Sequence, residues 1–407
     1  MISSQLPVDT PPTSADITDV EYEVAKNQIF SEIKEVESIF KGVVARILNH
    51  LVQYMKHKLT QSYLQFYIIN PLGMGMGNLL NGKLNDNYIT NKLGMSPNAT
   101  PKSFDMAYEE VDVPSHFGSK VTKRCWLIRS NKVDTTKAFV LMHGWFGNMQ
   151  SCLHFADTLK KIGILDTHHV LIVDLHDDVG RSFESNIGLK GVTDLYDATA
   201  YLHRELGVNS ISLYAQSVSG LSALMFNDVC RKACSKMSED LDEKVTCPVA
   251  HGMDRDILAN LTIDQIIIES PVANIRQHIL NSPSESVKWI TEQFLSSVDS
   301  DGMHVDKLSL QAFLKDPVTC SKVYIMQGSK DSITTPAMLH GEITRQTLQN
   351  PVNMFLFNDG GHANLSGTAG QEYLDTLKYV LVGRNLWEFV MGKGTKTRIF
   401  DPEDLIR

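Results

Sequence analysis

The sequence predicts a doubly wound α/β domain built on a mostly parallel sheet. Three observations predict it. Short, continuous apolar runs rich in Val, Ile, Leu, Met and Phe recur from about residue 138 onward. Such runs suit parallel strands covered on both faces. Helix-compatible stretches separate them, giving the alternation of a βαβα chain. Polar, glycine-bearing loops come after the runs, and ligands in such sheets gather at the carboxyl ends of the strands.

Residues 1–17 are rich in Pro, Ser, Thr and Asp and read as a disordered tail. Thr18-Asp19-Val20-Glu21 has the form of a capping box and opens a helical extension spanning 18–102. Within it Phe40, Val44, Ile47, Leu51, Met55, Leu59 and Tyr63 recur at helical steps, and Pro71 with the glycines at 73, 75 and 77 ends the pattern. Phe104–Val113 and Lys120–Ile128 read as two strands of a meander. Six apolar strands are expected next: Ala138–Met142, His169–Val173, Ile211–Ala215, Gln265–Ile268, Val323–Met326 and Met354–Phe357. Residues 271–321 interrupt the alternation, with short helices expected at Ile275–Leu280, Val287–Leu295 and Leu308–Leu314. The domain is expected to span 103–392, leaving 393–407 as a tail.

The loops at the carboxyl ends of the strands carry the chemistry. Ser212-Leu213-Tyr214-Ala215-Gln216-Ser217-Val218-Ser219-Gly220 has the shape of a nucleophile elbow, a sharp strand-to-helix turn that exposes a serine hydroxyl. Ala215 and Ser219 meet the demand for small residues two positions either side. Ser219 is the poorer nucleophile, because the bulky Leu221 stands at the same offset from it. After Met142 comes His143-Gly144-Trp145-Phe146-Gly147-Asn148, where glycine lets the backbone approach a ligand closely. Asp174 opens a polar loop after Val173. Gln327-Gly328-Ser329-Lys330-Asp331 comes after the strand ending at Met326, and Asn358-Asp359-Gly360-Gly361-His362 after the last.

Ser, Asp and His therefore lie beyond three different strands, in that chain order, at one edge of the sheet. In this the chain resembles the α/β-hydrolase superfamily over roughly residues 103–392, including a cap insertion at 271–321. The resemblance implies Ser217 as nucleophile, His362 as general base and Asp331 as the acid that orients it. It also implies an oxyanion hole from the backbone N–H groups of Trp145 and Val218. Glu269, at the end of the preceding strand, is a rival acid, although Ser270-Pro271 after it has the look of a structural turn. Asp331 has a second reading as a helix cap, and His143 reads as a brace for the oxyanion loop. The match departs in three places: the elbow lacks both usual glycines, the loop after Asp174 is long, and residues 1–100 have no counterpart.

The implied activity is cleavage of a carboxylic ester or thioester through an acyl-enzyme, on a small or lipid-like acyl substrate and without a cofactor. A peptidase or amidase on the same fold, and a catalytically silent interaction module, are the alternatives. A net charge of −9 over 407 residues argues against a general nucleic-acid partner. The hydrophobic fraction of 43% is that of an ordinary globular protein. Six cysteines in this length do not form a disulfide scaffold. Cys230, Cys234, Cys247 and His251 have metal-ligand chemistry, but their spacing is not a zinc knuckle, and buried thiols are the plainer reading. Residues 38–85 contain no acid but carry Lys41, Arg46, Lys56, Lys58 and Lys83. They form a candidate peripheral membrane contact, set against the plainer reading of a helix packed on the domain or on a second copy. With neither a charged n-region nor an apolar h-region at Met1-Ile2-Ser3-Ser4-Gln5, the expected location is cytoplasmic, and signal-independent export stays open.

Overall fold

The computed structural model describes residues 93–115, 122–132, 134–144, 147–175, 189–234, 252–280, 308–314, 322–343, 352–382 and 398–400, together with Lys41. Among them nine strands form one sheet: β1 (Glu109–Pro114), β2 (Thr122–Ile128), β3 (Lys137–Met142), β4 (His169–Val173), β5 (Ser210–Gln216), β6 (Thr262–Glu269), β7 (Val323–Gly328), β8 (Val352–Phe357) and β9 (Arg398–Phe400). Their spatial order is β1-β2-β4-β3-β5-β6-β7-β8-β9. The six strands from β3 to β8 run parallel, while β1, β2 and β9 pair antiparallel with their neighbours. This is the α/β-hydrolase fold that the sequence resemblance implies.

Alternation along each strand builds two cores, one per face. Val140, Met142, Leu171, Val173, Leu213, Ile266, Ile268 and Ile325 point to one side. There they meet α2 (Leu189–Leu206) through Val192, Leu195 and Tyr196, and α3 (Ser219–Cys234) through Leu221, Leu224 and Phe226. Phe139, Leu141, Val170, Ile172, Tyr214, Ile267, Met326 and Phe355 point to the other side. That face is covered by α1 (Leu153–Lys161) and α9 (Gly370–Val382). Both faces being covered explains why the strands read as unbroken apolar runs.

Three differences from the sequence reading are physical, and one feature of the insertion goes beyond it. Phe104 lies in a 3₁₀ turn, Pro101–Phe104, and β1 starts only at Glu109. Leu93, Met95 and Ala99 are buried in the second core, so the compact domain reaches back beyond residue 103. Arg398–Phe400, expected within a tail, pairs with Met354–Leu356 and covers the edge of β8. Finally, the insertion after β6 is anchored at both ends. Its helix α5 (Ile275–Leu280) and the later α6 (Leu310–Leu314) are joined by Ile275 N–H to the Leu308 carbonyl at 3.2 Å and Leu310 N–H to the Ala273 carbonyl at 2.8 Å. Three shorter helices, α4 (Arg255–Asn260), α7 (Pro336–Ile343) and α8 (Leu365–Thr368), complete the described set. The expected helix at 287–295, the tail at 1–17 and the basic stretch 38–85, apart from Lys41, lie outside the described residues.

Candidate active site

Ser217 occupies the turn between β5 and α3, with φ at +55°. A non-glycine residue in this left-handed region costs about 1–3 kcal/mol and persists only where its surroundings impose it. They do so here. The Ser217 N–H donates to the Glu269 carbonyl at 2.9 Å, and its own carbonyl accepts from Gly220 N at 3.1 Å and Val272 N at 3.3 Å. Ala215 and Ser219 are both buried, so small side chains are needed on each side of the turn. The Ser219 hydroxyl donates to the His143 carbonyl at 2.6 Å, which ties the elbow to the loop after β3.

That loop presses against the serine. A Cβ on Gly144 would stand 2.9 Å from the Ser217 Cβ, inside any real carbon–carbon contact. Glycine is therefore required by close approach rather than by φ. His143 is fully buried and braces the loop as the sequence suggested. Its Nε2 accepts from the Leu175 N–H at 3.1 Å, so the proton sits on Nδ1, which is 2.9 Å from the Gly144 carbonyl. Val218 comes directly after the serine in the turn, while Trp145 lies outside the described residues.

Asp331 and His362 are brought together by two loops that cross closely. A Cβ on Gly328 would strike the Gly360 carbonyl oxygen, and Lys330 N–H donates to that same oxygen at 2.9 Å. Asp331 Oδ2 lies 3.0 Å from His362 Nδ1. The Asp331 carboxylate is buried and accepts four further bonds. Its Oδ1 takes the Ile333 and Thr334 N–H groups at 2.9 and 2.8 Å, and its Oδ2 takes the Thr334 hydroxyl at 2.8 Å and Gln327 Nε2 at 3.2 Å. Burial alone would raise its carboxyl, but the His362 and Thr334 interactions outweigh that and hold it below the ordinary Asp value. The helix-cap reading does not hold, because Oδ1 closes the turn from Asp331 to Thr334 ahead of the helix that starts at Pro336, while Oδ2 faces the imidazole.

Glu269 does not reach the imidazole as a hydrogen-bond partner. It is 2% exposed and points into the second core. Its Oε2 accepts from Tyr214 and Tyr373 hydroxyls, each at 2.8 Å, and its Oε1 from Leu365 N–H at 3.1 Å. Asp331 is therefore the carboxylate paired with His362.

Three contributors escaped the sequence reading. Thr334 places its hydroxyl 2.8 Å from Asp331 Oδ2, 3.2 Å from His362 Nδ1 and 3.1 Å from the Ser270 carbonyl. Ser270, at φ +50°, gives its own hydroxyl oxygen to the Ala363 N–H at 3.0 Å. His278 on α5 carries a buried Nδ1 without a hydrogen-bond partner among the described residues, and sits where His362 and Asp331 act on it. Burial holds its ring below the ordinary histidine value. Only Ser270 had a signal, in the turn-forming Ser270-Pro271 pair.

The cysteine cluster is met only in part. Cys230 is a buried thiol inside α3, Cys234 ends that helix, and Cys247 and His251 lie outside the described residues. Among the described residues no group of three His, Cys, Asp or Glu side chains is arranged to hold a metal.

Neither a family model nor a curated protein matches the chain. Solved structures do. An esterase from Pyrococcus furiosus is similar over 71% of this chain and 95% of its own, at 15% identity and a TM-score of 0.47. Est1E from Butyrivibrio proteoclasticus covers 67% of this chain and 98% of its own, at 14% identity and a TM-score of 0.45. A dienelactone hydrolase from Anabaena variabilis covers 68% and 98%, at 13% identity and a TM-score of 0.41. Identities this low say nothing of substrate.

Proposed function

We propose that this chain is a serine hydrolase that cleaves a carboxylic ester or thioester through an acyl-enzyme. One observation carries the reading: a serine held at φ +55° in the strand-to-helix turn after β5, with loops after the parallel strands β7 and β8 that set Asp331 Oδ2 3.0 Å from His362 Nδ1. A serine hydroxyl is a weak nucleophile at neutral pH and needs a base beside it. In the proposed cycle His362 Nδ1 is committed to Asp331, so Nε2 is the nitrogen that takes the Ser217 proton as Oγ attacks the acyl carbon. Asp331 fixes the tautomer and stabilises the imidazolium that forms. Backbone N–H groups of Val218 and Trp145 would face the oxyanion, and losing one such donor costs about 2.7–4 kcal/mol of barrier. Collapse of the tetrahedral adduct breaks the bond to the leaving group, which receives the proton from Nε2. Water then attacks the acyl-enzyme by the same path in reverse roles and frees the acid and Ser217.

The substrate class we favour is a small or lipid-like acyl compound, with the insertion at 271–321 shaping access. The test is a panel of acyl esters, thioesters and anilides of graded chain length, run on the full chain and on Ser217→Ala. Turnover of esters or thioesters that disappears in a folded Ser217→Ala protein supports the reading. Full activity in that variant contradicts it, and turnover confined to anilides moves the assignment to an amidase. Ser219→Ala should keep most of the activity, since its hydroxyl serves the His143 carbonyl.

A further inference from the structure

We propose that Thr334 is a positioning residue for the Asp331–His362 pair, its side-chain hydroxyl holding the carboxylate and the imidazole on one oxygen. The inference rests on the hydrolase reading for its catalytic meaning, but its geometry stands apart from it. Thr334 is 2% exposed. Its Oγ1 lies 2.8 Å from Asp331 Oδ2, 3.2 Å from His362 Nδ1 and 3.1 Å from the Ser270 carbonyl. One hydroxyl thus meets the turns after β6, β7 and β8. Ser270 also takes the Ala363 N–H on its own Oγ at 3.0 Å, which ties its turn to the one that carries His362.

The turn from Asp331 to Thr334 does not need that hydroxyl. Asp331 Oδ1 takes the Ile333 and Thr334 N–H groups at 2.9 and 2.8 Å, and the Thr334 carbonyl takes Gln327 Nε2 at 2.9 Å. Main-chain groups of residue 334 make these bonds whatever side chain stands there. The hydroxyl is therefore left with one proton and two lone pairs to place among its three neighbours. Asp331 Oδ2 and the Ser270 carbonyl compete for the proton. The carboxylate is the nearer of the two and carries the charge, and a hydrogen bond to an ionised acceptor is roughly twice as strong as a neutral one. An ionised Asp331 only accepts, so His362 Nδ1 carries the proton of that pair. With its own proton turned to Oδ2, Thr334 Oγ1 offers a lone pair to the same Nδ1–H. Oδ2, Nδ1 and Oγ1 then form a closed triangle with sides of 2.8, 3.0 and 3.2 Å. Rotating the carboxylate or the ring alone breaks at least one side of it. Burial raises the Asp331 carboxyl, while the His362 and Thr334 interactions lower it and prevail, in keeping with a hydroxyl proton on the carboxylate.

Two variants separate this role from packing. Thr334→Val keeps the branched shape and deletes the hydroxyl, while Thr334→Ser keeps the hydroxyl and deletes the methyl group. Packing alone makes Val the milder change, and a hydroxyl that positions the pair makes Ser the milder one. In ester turnover by the full chain, Thr334→Val should lose about tenfold or more in kcat with KM unchanged, and Thr334→Ser should recover most of that loss. The companion measurement is the ¹H–¹⁵N NMR signal of the His362 Nδ1–H, with ¹⁵N-labelled histidine in the full chain and assignment by its loss in His362→Gln. The signal should move in Thr334→Val and stay near its parent position in Thr334→Ser. Parent kcat in a folded Thr334→Val protein, equal losses in the two variants, or an unmoved Nδ1–H signal overturns the inference. A parent chain that holds no such signal against exchange overturns it as well. If Thr334→Val does not fold, Thr334→Ala also lacks the hydroxyl, demands less room and carries the same expectations. The NMR readout needs no turnover, so a chain that hydrolyses nothing while the signal moves would end the hydrolase reading and leave this result standing.

Discussion

Asp331 divides its oxygens between a turn and an imidazole, and that division sets its consequences. Asp331→Asn should lower turnover by about 10⁴-fold, because an amide disfavours the productive histidine tautomer. Glu269→Gln should lose far less, since its carboxylate bonds Tyr214, Tyr373 and Leu365 rather than the imidazole. The reverse ranking in kcat would move the acid to β6. Asp331 also carries a stability signature. Its carboxyl lies below the ordinary value when folded. The interaction therefore adds stability above the unfolded value of about 3.9, and loses it as pH falls through the lower folded value. Urea midpoints from pH 7 to pH 2.5 should fall less steeply for Asp331→Asn than for the parent, and parallel curves would contradict this. At this scale the sequence made the positions of Ser217, Asp331 and His362 in the fold legible, because each lies just beyond an apolar run. Thr334 and His278 were not legible. Their roles depend on chain crossings that no local pattern records.

The six parallel strands were readable because a sheet covered on both faces leaves no polar alternation. Where a charge is buried, the same logic misleads. Lys123 lies on β2, in a stretch whose charged residues suggest an exposed edge. It is 6% exposed, and its Nζ lies 2.5 Å from both Asp194 Oδ1 and Asp197 Oδ2 on α2. Burial opposes its charge, but the two aspartates outweigh that and raise the ammonium well above the usual lysine value. Partners some seventy positions away in the sequence give no signal near the lysine. Lys123→Met leaves two aspartates buried without their cation, which should cost about 3–5 kcal/mol. Chemical denaturation at pH 7 measures this, and a loss below about 1 kcal/mol would show that the aspartates are relieved by water. Gly144 makes the second element-scale case. The Cβ of Gly144→Ala would meet Ser217 at 2.9 Å, so the loop after β3 must retreat from the elbow. Turnover should drop about 10²-fold or more with little change in stability if that loop carries the proposed oxyanion donor. An unchanged kcat would contradict the placement of that loop against the serine.

For the whole molecule, the boundary of the domain is the part that sequence periodicity draws too short. Residues 93–102 have no helical or strand period, so a pattern-based reading assigns them to the extension. Yet Leu93, Met95 and Ala99 are buried, His154 Nε2 lies 2.7 Å from the Leu93 carbonyl, and Lys160 Nζ donates to the Phe104 carbonyl at 2.8 Å. Short irregular segments are held by what they touch, and that information sits on α1. A chain beginning at residue 93 should unfold several degrees higher than one beginning at 103, since a buried Leu or Met side chain contributes about 1.5–3 kcal/mol. Equal midpoints would return the boundary to 103. Among the described residues no helix is long and apolar enough to cross a membrane. The central claim, a hydrolase acting through Ser217, meets its most direct test in fluorophosphonate labelling of the full chain followed by peptide mapping. A single modified peptide is expected, carrying the adduct on Ser217 and lost in His362→Ala. An adduct on any other residue, or a folded chain that stays unlabelled, would contradict the claim.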